Sequence, residues 1–394
     1  MSAPTSRTPA WEISTLPFSE RESIVERFEA RVNAAQIASP PTKDWVRKAL
    51  QRQGARRCPV RLKRLSPDVI VRYGDRLAEL FEEYRDDVIH AQPYEFAVGF
   101  QPQSRSARVE ELQALTEPGE WTDEWGTRWG RRAGGVGASP VDVPIKDWSQ
   151  LDAYLGYRMP DPLAPGRLDK ALPVLQMHGE SKYCVGVIHL SLFERLHCLR
   201  GMENTFADFY TDEKKVTQLL EALAEYLLEF TRRWLTTPVS AIFLGDDWGS
   251  QTRMMVSLPL WRKFFRAHYR RVFEEIHRAE RQVIFHSCGN VFGIIPDLID
   301  IGVDVLDPVQ PVAMNIEEVA GKFGGRISFS GAIDDQRLED YSPQEIRDIV
   351  RRTTDALGRP FGCGYIGAPA NTVALTVPLE NLQALIETFH EELK

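Results

Sequence analysis

The chain has few cysteines, no long apolar run and no excess of positive charge. Its five cysteines are an odd number and lie far apart, which argues against a disulfide framework and for a reducing compartment. No run of about 18 apolar residues occurs, and the N-terminus lacks the apolar core of a signal peptide. A net charge of −8 argues against a general nucleic-acid binder. We therefore expect a cytoplasmic protein that binds neither membranes nor nucleic acids.

The order of the predicted elements indicates an α/β barrel. Short apolar strands are followed by amphipathic helices in repeated units, which is typical of parallel strands joined by right-handed crossovers. No Gly-x-Gly-x-x-Gly turn follows the first strand, so a dinucleotide-binding fold is disfavoured. The number of units favours a closed (β/α)8 TIM barrel over an open sheet. The predicted strands cover residues 59–62, 183–190, 241–245, 282–288, 303–306, 327–330 and 365–369.

The N-terminal segment differs from the rest of the chain. The first fifteen or so residues are rich in proline, serine and threonine, and residues 19–35 have apolar residues at helical spacing. We therefore predict a tail and helical extension over residues 1–55 and a barrel domain over residues 56–394.

Two adjacent acidic residues follow the predicted strand at 241–245. In a barrel, the carboxyl ends of the strands form the mouth, where the chemistry takes place. Because neighbouring side chains on a strand point to opposite faces, only one of Asp246 and Asp247 can face inward. We predict that Asp247 faces the mouth, as a catalytic residue, and that Asp246 caps the following turn.

A histidine and a cysteine two positions apart close the strand at 282–288. Strand alternation sends the side chains of His286 and Cys288 to the same face. Imidazole and thiolate donors together favour zinc, and zinc can convert a thiol into a thiolate nucleophile at neutral pH. The alternative is a buried histidine beside a buried free cysteine at a packed strand end.

The sequence resembles the uroporphyrinogen decarboxylase superfamily, and within it the branch that includes corrinoid-dependent methyltransferases. The resemblance covers residues 56 to the C-terminus. It rests on several segments, among them Gly-Asp-Asp-Trp-Gly-Ser-Gln at 245–251, His-Ser-Cys-Gly-Asn at 286–290, Ile-Pro-Asp-Leu-Ile-Asp-Ile-Gly-Val-Asp-Val-Leu at 295–306 and Pro-Val-Gln-Pro at 308–311.

Resemblance to the methyltransferases implies a zinc enzyme that acts on a small substrate. In those proteins, a pair matching His286 and Cys288 binds zinc with a further cysteine near the end of the last strand. Zinc activates a thiol acceptor, a corrinoid protein donates or accepts the methyl group, and the enzyme is a homodimer. Here Asn371 occupies the late position and Cys363 is the nearest thiol. The resemblance therefore leaves Cys363, Asp247 or Glu194 to complete the ligand set.

Resemblance to the decarboxylases implies a metal-free alternative. Arginines near the first strand would bind the carboxylates of the substrate, and an acidic residue would donate a proton. In this chain Arg56, Arg57 or Arg61 could bind carboxylates, with Asp87 or Asp247 as the catalytic acid. However, the Arg-Gln-Ala-Gly-Arg-Tyr segment of the decarboxylases is replaced by Arg-Arg-Cys-Pro-Val-Arg. A barrel that binds a ligand without catalysis is the third possibility.

Further polar residues are candidates for substrate binding. Glu194 and Arg195 follow the strand at 183–190, where they either clamp an anionic group or form an ion-pair network. Gln310 either presents its amide to a ligand or stabilises a turn. Gln251 and Asn371 complete the predicted substrate contacts.

Overall fold

The structure is a computed structural model that describes residues 16–55, 57–93, 119–131 and 138–391. Arg56, one of the arginines proposed to bind carboxylates, lies outside the described residues.

The strands within the described residues form two sheets. They are β1 Val88–Ala91, β2 Gly119–Thr122, β3 Arg128–Arg131, β4 Ser139–Asp142, β5 Tyr183–Ile188, β6 Ala241–Gly245, β7 Gln282–His286, β8 Val305–Asp307, β9 Ser328–Ile333 and β10 Tyr365–Pro369. The larger sheet is parallel, in the order β1-β5-β6-β7-β8-β9-β10, and the smaller is antiparallel, in the order β2-β3-β4.

Helices follow most strands of the larger sheet. The α-helices within the described residues are α1 Phe18–Ala38, α2 Lys43–Leu50, α3 Pro67–Glu83, α4 Leu151–Tyr157, α5 Leu172–His178, α6 Phe193–Arg200, α7 Met202–Thr211, α8 Glu213–Leu235, α9 Leu258–Phe264, α10 Arg266–Arg278, α11 Ile295–Ile301, α12 Ile316–Phe323, α13 Pro343–Leu357 and α14 Leu379–Glu391. Across the ranges that the structure describes, none of these helices combines the length and apolar character needed to cross a bilayer.

The segment before α3 joins the two ends of the parallel sheet. The amide of Gly367 in β10 donates to the carbonyl of Pro59 at 2.8 Å, and the amide of Arg61 donates back to Gly367 at 2.9 Å. On its other side, the carbonyl of Val60 accepts from the amide of Asp87 at 2.9 Å, next to β1. The predicted (β/α)8 barrel is confirmed, although the predicted strand at 59–62 forms only an isolated parallel bridge.

Apolar side chains fill the barrel from its N-terminal end. Inward-facing residues of several strands form one buried cluster that also contains Val46 and Leu50 of α2. The hydroxyl of Ser328, the first residue of β9, donates to the carbonyl of Leu50 at 2.7 Å. Helix α2 therefore closes the end of the barrel at which the strands begin, and the opposite end, here called the barrel mouth, carries the polar residues.

Helices α1 and α3 pack against each other beside the barrel. The rings of Phe28 and Phe81 meet edge to face, with centroids 6.0 Å apart, and Arg31 pairs with Glu82 at 2.7 Å. The predicted division of the chain at residue 56 stays a prediction.

Candidate metal centre at the barrel mouth

Three possible metal ligands converge at the barrel mouth. One donor atom from each of Asp247, His286 and Cys288 lies within 4.8 Å of the other two. The Nε2 atom of His286 is 3.5 Å from the sulfur of Cys288 and 3.6 Å from Oδ1 of Asp247. Among the residues that the structure describes, this is the only such group of three. It is called the candidate triad below.

Two neighbouring strands place the candidate triad. In the register of β6 and β7, Gly245 lies beside His286, so the residues just beyond each strand also lie side by side. The backbone amide of Cys288 donates to Oδ1 of Asp247 at 2.7 Å, and that of Gly249 donates to the carbonyl of Cys288 at 3.2 Å. The two loops after β6 and β7 are thus bonded directly to each other.

Glycine allows these two loops to approach closely. Gly289 has a φ of +78°, and a Cβ atom there would overlap the carbonyl oxygen of Gly249. A larger residue would therefore push apart the loops that carry Asp247 and Cys288.

A buried carboxylate fixes the orientation of the His286 ring. In the register of β7 and β8, His286 lies beside Asp307, and its Nδ1 is 2.6 Å from the Asp307 carboxylate. The hydroxyl of Ser330 donates to the same carboxylate at 2.6 Å, and Arg64 lies 3.4 Å away. Because an ionised carboxylate only accepts, Nδ1 carries the hydrogen and Nε2 is directed to the other members of the candidate triad.

The charges around His286 shift two pKa values. Burial acts to raise the pKa of Asp307, but the positive charge of Arg64 and the hydrogen bond from His286 outweigh it and hold that pKa well below its usual range. Burial acts to lower the pKa of His286, but the charge of Cys288 and the contact with Asp307 raise it well above its usual value. Both shifts favour an ion pair between the two side chains.

Asp246 and Glu194 lie behind Asp247. Asp246 is buried and accepts hydrogen bonds from the backbone amides of Phe193 and Glu194, at 2.8 and 2.7 Å, and from the hydroxyl of Tyr269. It therefore caps the N-terminus of α6, and burial raises its pKa to about 7. Burial and the charges of Asp247 and Asp246 raise the pKa of Glu194 well above its usual range.

Two more histidines surround the ring of Phe243 on β6. The ring of Phe243 lies 5.2 Å from that of His90, 6.0 Å from that of His189 and 5.3 Å from that of His286. Burial lowers the pKa of His90 well below its usual value and that of His189 to about 3, and the charge of Arg61 adds to both shifts. Both imidazoles are therefore neutral at physiological pH.

Several of the predicted substrate contacts also lie near the candidate triad. The side chain of Gln310 accepts from the amide of Gly289 at 2.8 Å, and the amide nitrogen of Asn371 lies 3.7 Å from the sulfur of Cys288. Gln251 is exposed. Arg195 forms an ion pair with Asp123 at 3.3 Å, which is the ion-pair alternative considered for this residue.

The structure does not bring Cys363, Asp87 or Arg57 to the candidate triad. Cys363 precedes β10, so it lies at the N-terminal end of the barrel, where its free thiol forms a hydrogen bond with that of Cys58. Asp87 precedes β1 and forms two hydrogen bonds of 2.6 Å with Arg57. Residues that precede parallel strands lie at the opposite end from the mouth, so these three cannot reach it.

The residues that support His286 were not predicted from the sequence. Asp307, Ser330 and Arg64 form the buried group around its Nδ1 atom. The available signal was an aspartate at the carboxyl end of the strand that follows His286, because consecutive parallel strands lie side by side. Ser330 and Arg64 carried no comparable signal, since serine and arginine at such positions usually have other roles.

The fold is a barrel, and the candidate triad is a candidate metal site at the carboxyl ends of its strands. Barrel enzymes carry their active sites at this end. The sequence model of the uroporphyrinogen decarboxylase (URO-D) family matches residues 190–392, and the chain belongs to this family.

Two known proteins illustrate what the chain is similar to. It is 28% identical over 192 residues to a uroporphyrinogen decarboxylase from Nocardia farcinica, a match that covers 48% of this chain. The match spans 52% of that relative, about half its length. A solved structure of a methyltransferase from Methanosarcina mazei superposes with a TM-score of 0.62, covering 90% of this chain and 99% of the other. At 14% identity, that likeness shows the shared fold.

Proposed function

We propose that this protein is a metal-dependent methyltransferase in which Asp247, His286 and Cys288 hold a zinc ion. The observation that carries the proposal is the convergence of a carboxylate, an imidazole and a thiol within 4.8 Å at the barrel mouth. Three protein ligands and an open position are typical of catalytic rather than structural zinc sites.

The spacing of the donors supports zinc. Bond lengths of about 2.0–2.3 Å in tetrahedral geometry place the ligand atoms of a zinc ion about 3.3–3.8 Å apart. The distances from Nε2 of His286 to the sulfur of Cys288 and to Oδ1 of Asp247, 3.5 and 3.6 Å, are compatible with that geometry. The ring of His286 is also held by Asp307 as metal-bound histidines usually are.

Each residue has a physical role in the proposed reaction. A bound zinc ion would supply Lewis acidity and keep a thiol acceptor ionised at neutral pH. Asp307 keeps the Nε2 atom of His286 directed to the candidate triad, and the amide of Asn371 faces the sulfur of Cys288. Asp247 has 37% of its side chain exposed, against 14% for His286, so it is open to a substrate that enters the mouth.

A methyl carrier completes the proposal. The methyl group would be exchanged with a corrinoid bound to a partner protein, and the other substrate would be a small thiol. The similarity in fold to a methyltransferase supports this proposal. In the forward direction the thiolate sulfur would take the methyl group from the carrier, the carrier would keep the electron pair of the broken bond, and the proton of the thiol would pass to solvent.

The activity is tested with zinc-loaded protein, methylcobalamin and a panel of small thiols. We expect loss of the methylcobalamin absorbance and formation of a methyl thioether, detected by mass spectrometry. Cys288→Ser and His286→Gln should each lower the rate by about 100-fold or more, because the zinc site is lost. Cys363→Ser is the matched cysteine control and should leave the rate unchanged. No turnover of any thiol by the zinc-loaded wild type would contradict the proposal.

Metal-free decarboxylation is the second candidate function. The similarity to the uroporphyrinogen decarboxylase from Nocardia farcinica supports it. Asp247 would then be the proton donor and Arg61 a carboxylate ligand. Conversion of uroporphyrinogen to coproporphyrinogen by protein freed of metal would establish this activity. Absence of that product, with intact folding, would rule it out.

A further inference from the structure

An asparagine side chain lies against the sulfur of Cys288. The amide nitrogen of Asn371 is 3.7 Å from this sulfur, and it donates a hydrogen bond to it. Asn371 follows β10, and both side chains are partly buried at the barrel mouth. The Nε2 atom of His286 lies at a similar distance from the sulfur, 3.5 Å. When Nε2 is a metal ligand it has no hydrogen to donate, so the donor to the sulfur is then Asn371.

Two further hydrogen bonds hold Asn371 in this orientation. Its Oδ1 atom accepts from the backbone amide of Thr372 at 2.8 Å, and its own backbone amide donates to the carboxylate of Asp335 at 2.9 Å. Because a backbone amide can only donate, the oxygen end of the Asn371 side chain must face Thr372. The NH2 end therefore faces Cys288.

A hydrogen bond to a thiolate lowers the reactivity of its sulfur. The donor occupies one lone pair and draws negative charge from the sulfur, so the thiolate forms a new bond to carbon less readily. The other lone pairs remain available to a metal. The exposed side of the candidate triad carries Asp247, whose ionised carboxylate accepts hydrogen bonds and donates none. A thiolate that arrives beside Asp247 therefore meets no donor from this residue.

We propose that Asn371 protects Cys288 from methylation. The proposed reaction brings a second thiolate, that of the substrate, to the site that contains Cys288. Methylation of Cys288 would turn an anionic ligand into a neutral thioether, a weak acceptor, and would stop turnover. The hydrogen bond from Asn371 makes Cys288 the weaker nucleophile of the two, so the methyl group passes to the substrate. This inference rests on the proposed function in taking a thiol as the methyl acceptor, whereas the hydrogen bond does not depend on it.

The experiment methylates Cys288 with iodomethane, whose methyl group forms a bond to the thiolate sulfur while iodide leaves. Zinc-loaded wild type is compared with Asn371→Leu, because leucine fills about the same space and has no donor. The gain of one methyl group on the peptide that contains Cys288 is followed by mass spectrometry. We expect this peptide to react about fivefold or more faster in Asn371→Leu, since the loss of one hydrogen bond to a charged sulfur raises its reactivity.

A spectrum tests the state of the sulfur without a reaction. Cobalt(II) takes the place of zinc, and the charge-transfer absorbance from the sulfur to the cobalt is recorded. A sulfur without the hydrogen bond holds its electrons less tightly, so this band should lie at longer wavelength in Asn371→Leu than in wild type. Asn204→Leu is the matched control, because the amide of Asn204, on α7, donates to the carbonyl of Arg200. It should leave both the band and the methylation rate of Cys288 unchanged.

The metal content of each sample separates the two proposals. Wild type that binds no zinc would contradict the proposed function but not this inference. Metal-free protein then decides, at a pH where the methylation rate no longer rises with pH because the thiol is fully ionised. A faster reaction of Asn371→Leu in that state supports the inference. Equal methylation rates for wild type and Asn371→Leu, or the same gain in Asn204→Leu, would overturn it.

Discussion

The Nδ1 atom of His286 is held by a buried carboxylate on the next strand. Asp307 is 1% exposed and contacts His286, Ser330 and Arg64 with its two oxygens. A carboxylate that accepts the Nδ1 hydrogen fixes the tautomer and makes Nε2 a better metal ligand. The residue that decides the chemistry of His286 therefore lies on the next strand.

Asp307→Asn tests this role. An amide in place of the carboxylate no longer favours the Nδ1–H tautomer, so zinc affinity should fall by about 10–100-fold. The affinity is measured by competition with a chromophoric chelator. Asp304→Asn is the matched control. Asp304 also forms a hydrogen bond with an imidazole, that of His277, but it lies at the start of β8 and not at its end. An unchanged zinc affinity in Asp307→Asn, or an equal loss in both variants, would refute the positioning role.

Gly289 is required by the contact between the loops after β6 and β7. Gly54 has a similar φ, +80° against +78°, but a Cβ atom there meets nothing within 4 Å. Gly54→Ala should therefore destabilise the protein by about 1 kcal/mol, the strain of the left-handed backbone alone. Gly289→Ala should lower the free energy of unfolding by about 3 kcal/mol or more and weaken zinc binding. Urea denaturation measures both values, and equal effects would show that the loops are not in tight contact.

At the scale of elements, helix α5 buries a histidine that hydrogen-bonds to nothing among the described residues. His178 is 1% exposed and neither ring nitrogen has a partner. Burial, with smaller contributions from Lys63 and Lys182, lowers its pKa to about 4. The folded protein therefore holds this imidazole neutral at a pH where the unfolded chain protonates it.

The folded state should consequently lose stability in acid through His178. Between the usual imidazole pKa of about 6.5 and the lowered value, the unfolded chain binds the extra proton, so stability present above pH 6.5 is lost as the pH falls. We measure the free energy of unfolding by chemical denaturation at pH 7.5 and 4.5. Between these two pH values, that free energy should fall by about 2–3 kcal/mol less in His178→Leu than in wild type. Parallel pH curves for the two proteins would contradict this account.

His277 on α10 provides a control of the opposite sign. Its hydrogen bond to Asp304 raises its pKa. That stabilisation is present below pH 6.5 and is lost as the pH rises through the raised value. The free energy of unfolding of His277→Gln should therefore lie further below that of wild type at low pH than at high pH.

The ends of the strands could be predicted from the sequence better than the residues that support the side chains at those ends. The strands at 241–245 and 365–369 have the predicted bounds, because each is a short apolar run that ends in polar residues. His286 and Cys288 could be placed close together from their spacing, although β7 ends at His286 and Cys288 lies in the loop beyond the predicted strand at 282–288. The place of Asp307 at the end of the next strand was a usable signal, but Arg64 could not be assigned, since its role depends on which segments become neighbours in space.

At the scale of the whole molecule, the closed barrel was predictable from the repeated strand–helix order, but the segments that complete it beside β5 and β10 were not. β1 has the sequence Val-Ile-His-Ala, too short to stand out, and the antiparallel sheet β2-β3-β4 carries no regular alternation. The single bridge of Val60 to Gly367 depends on partners more than 300 residues away in the chain. The expected homodimer and cytoplasmic location stay predictions.

The most direct test is the metal content of the purified protein. Wild type and Cys363→Ser, expressed with zinc in the medium and dialysed, should each retain about one zinc per chain. Cys288→Ser should lose it while its far-UV circular dichroism stays that of a folded barrel. Wild-type protein without bound zinc, or Cys288→Ser that retains a full equivalent, would contradict the account.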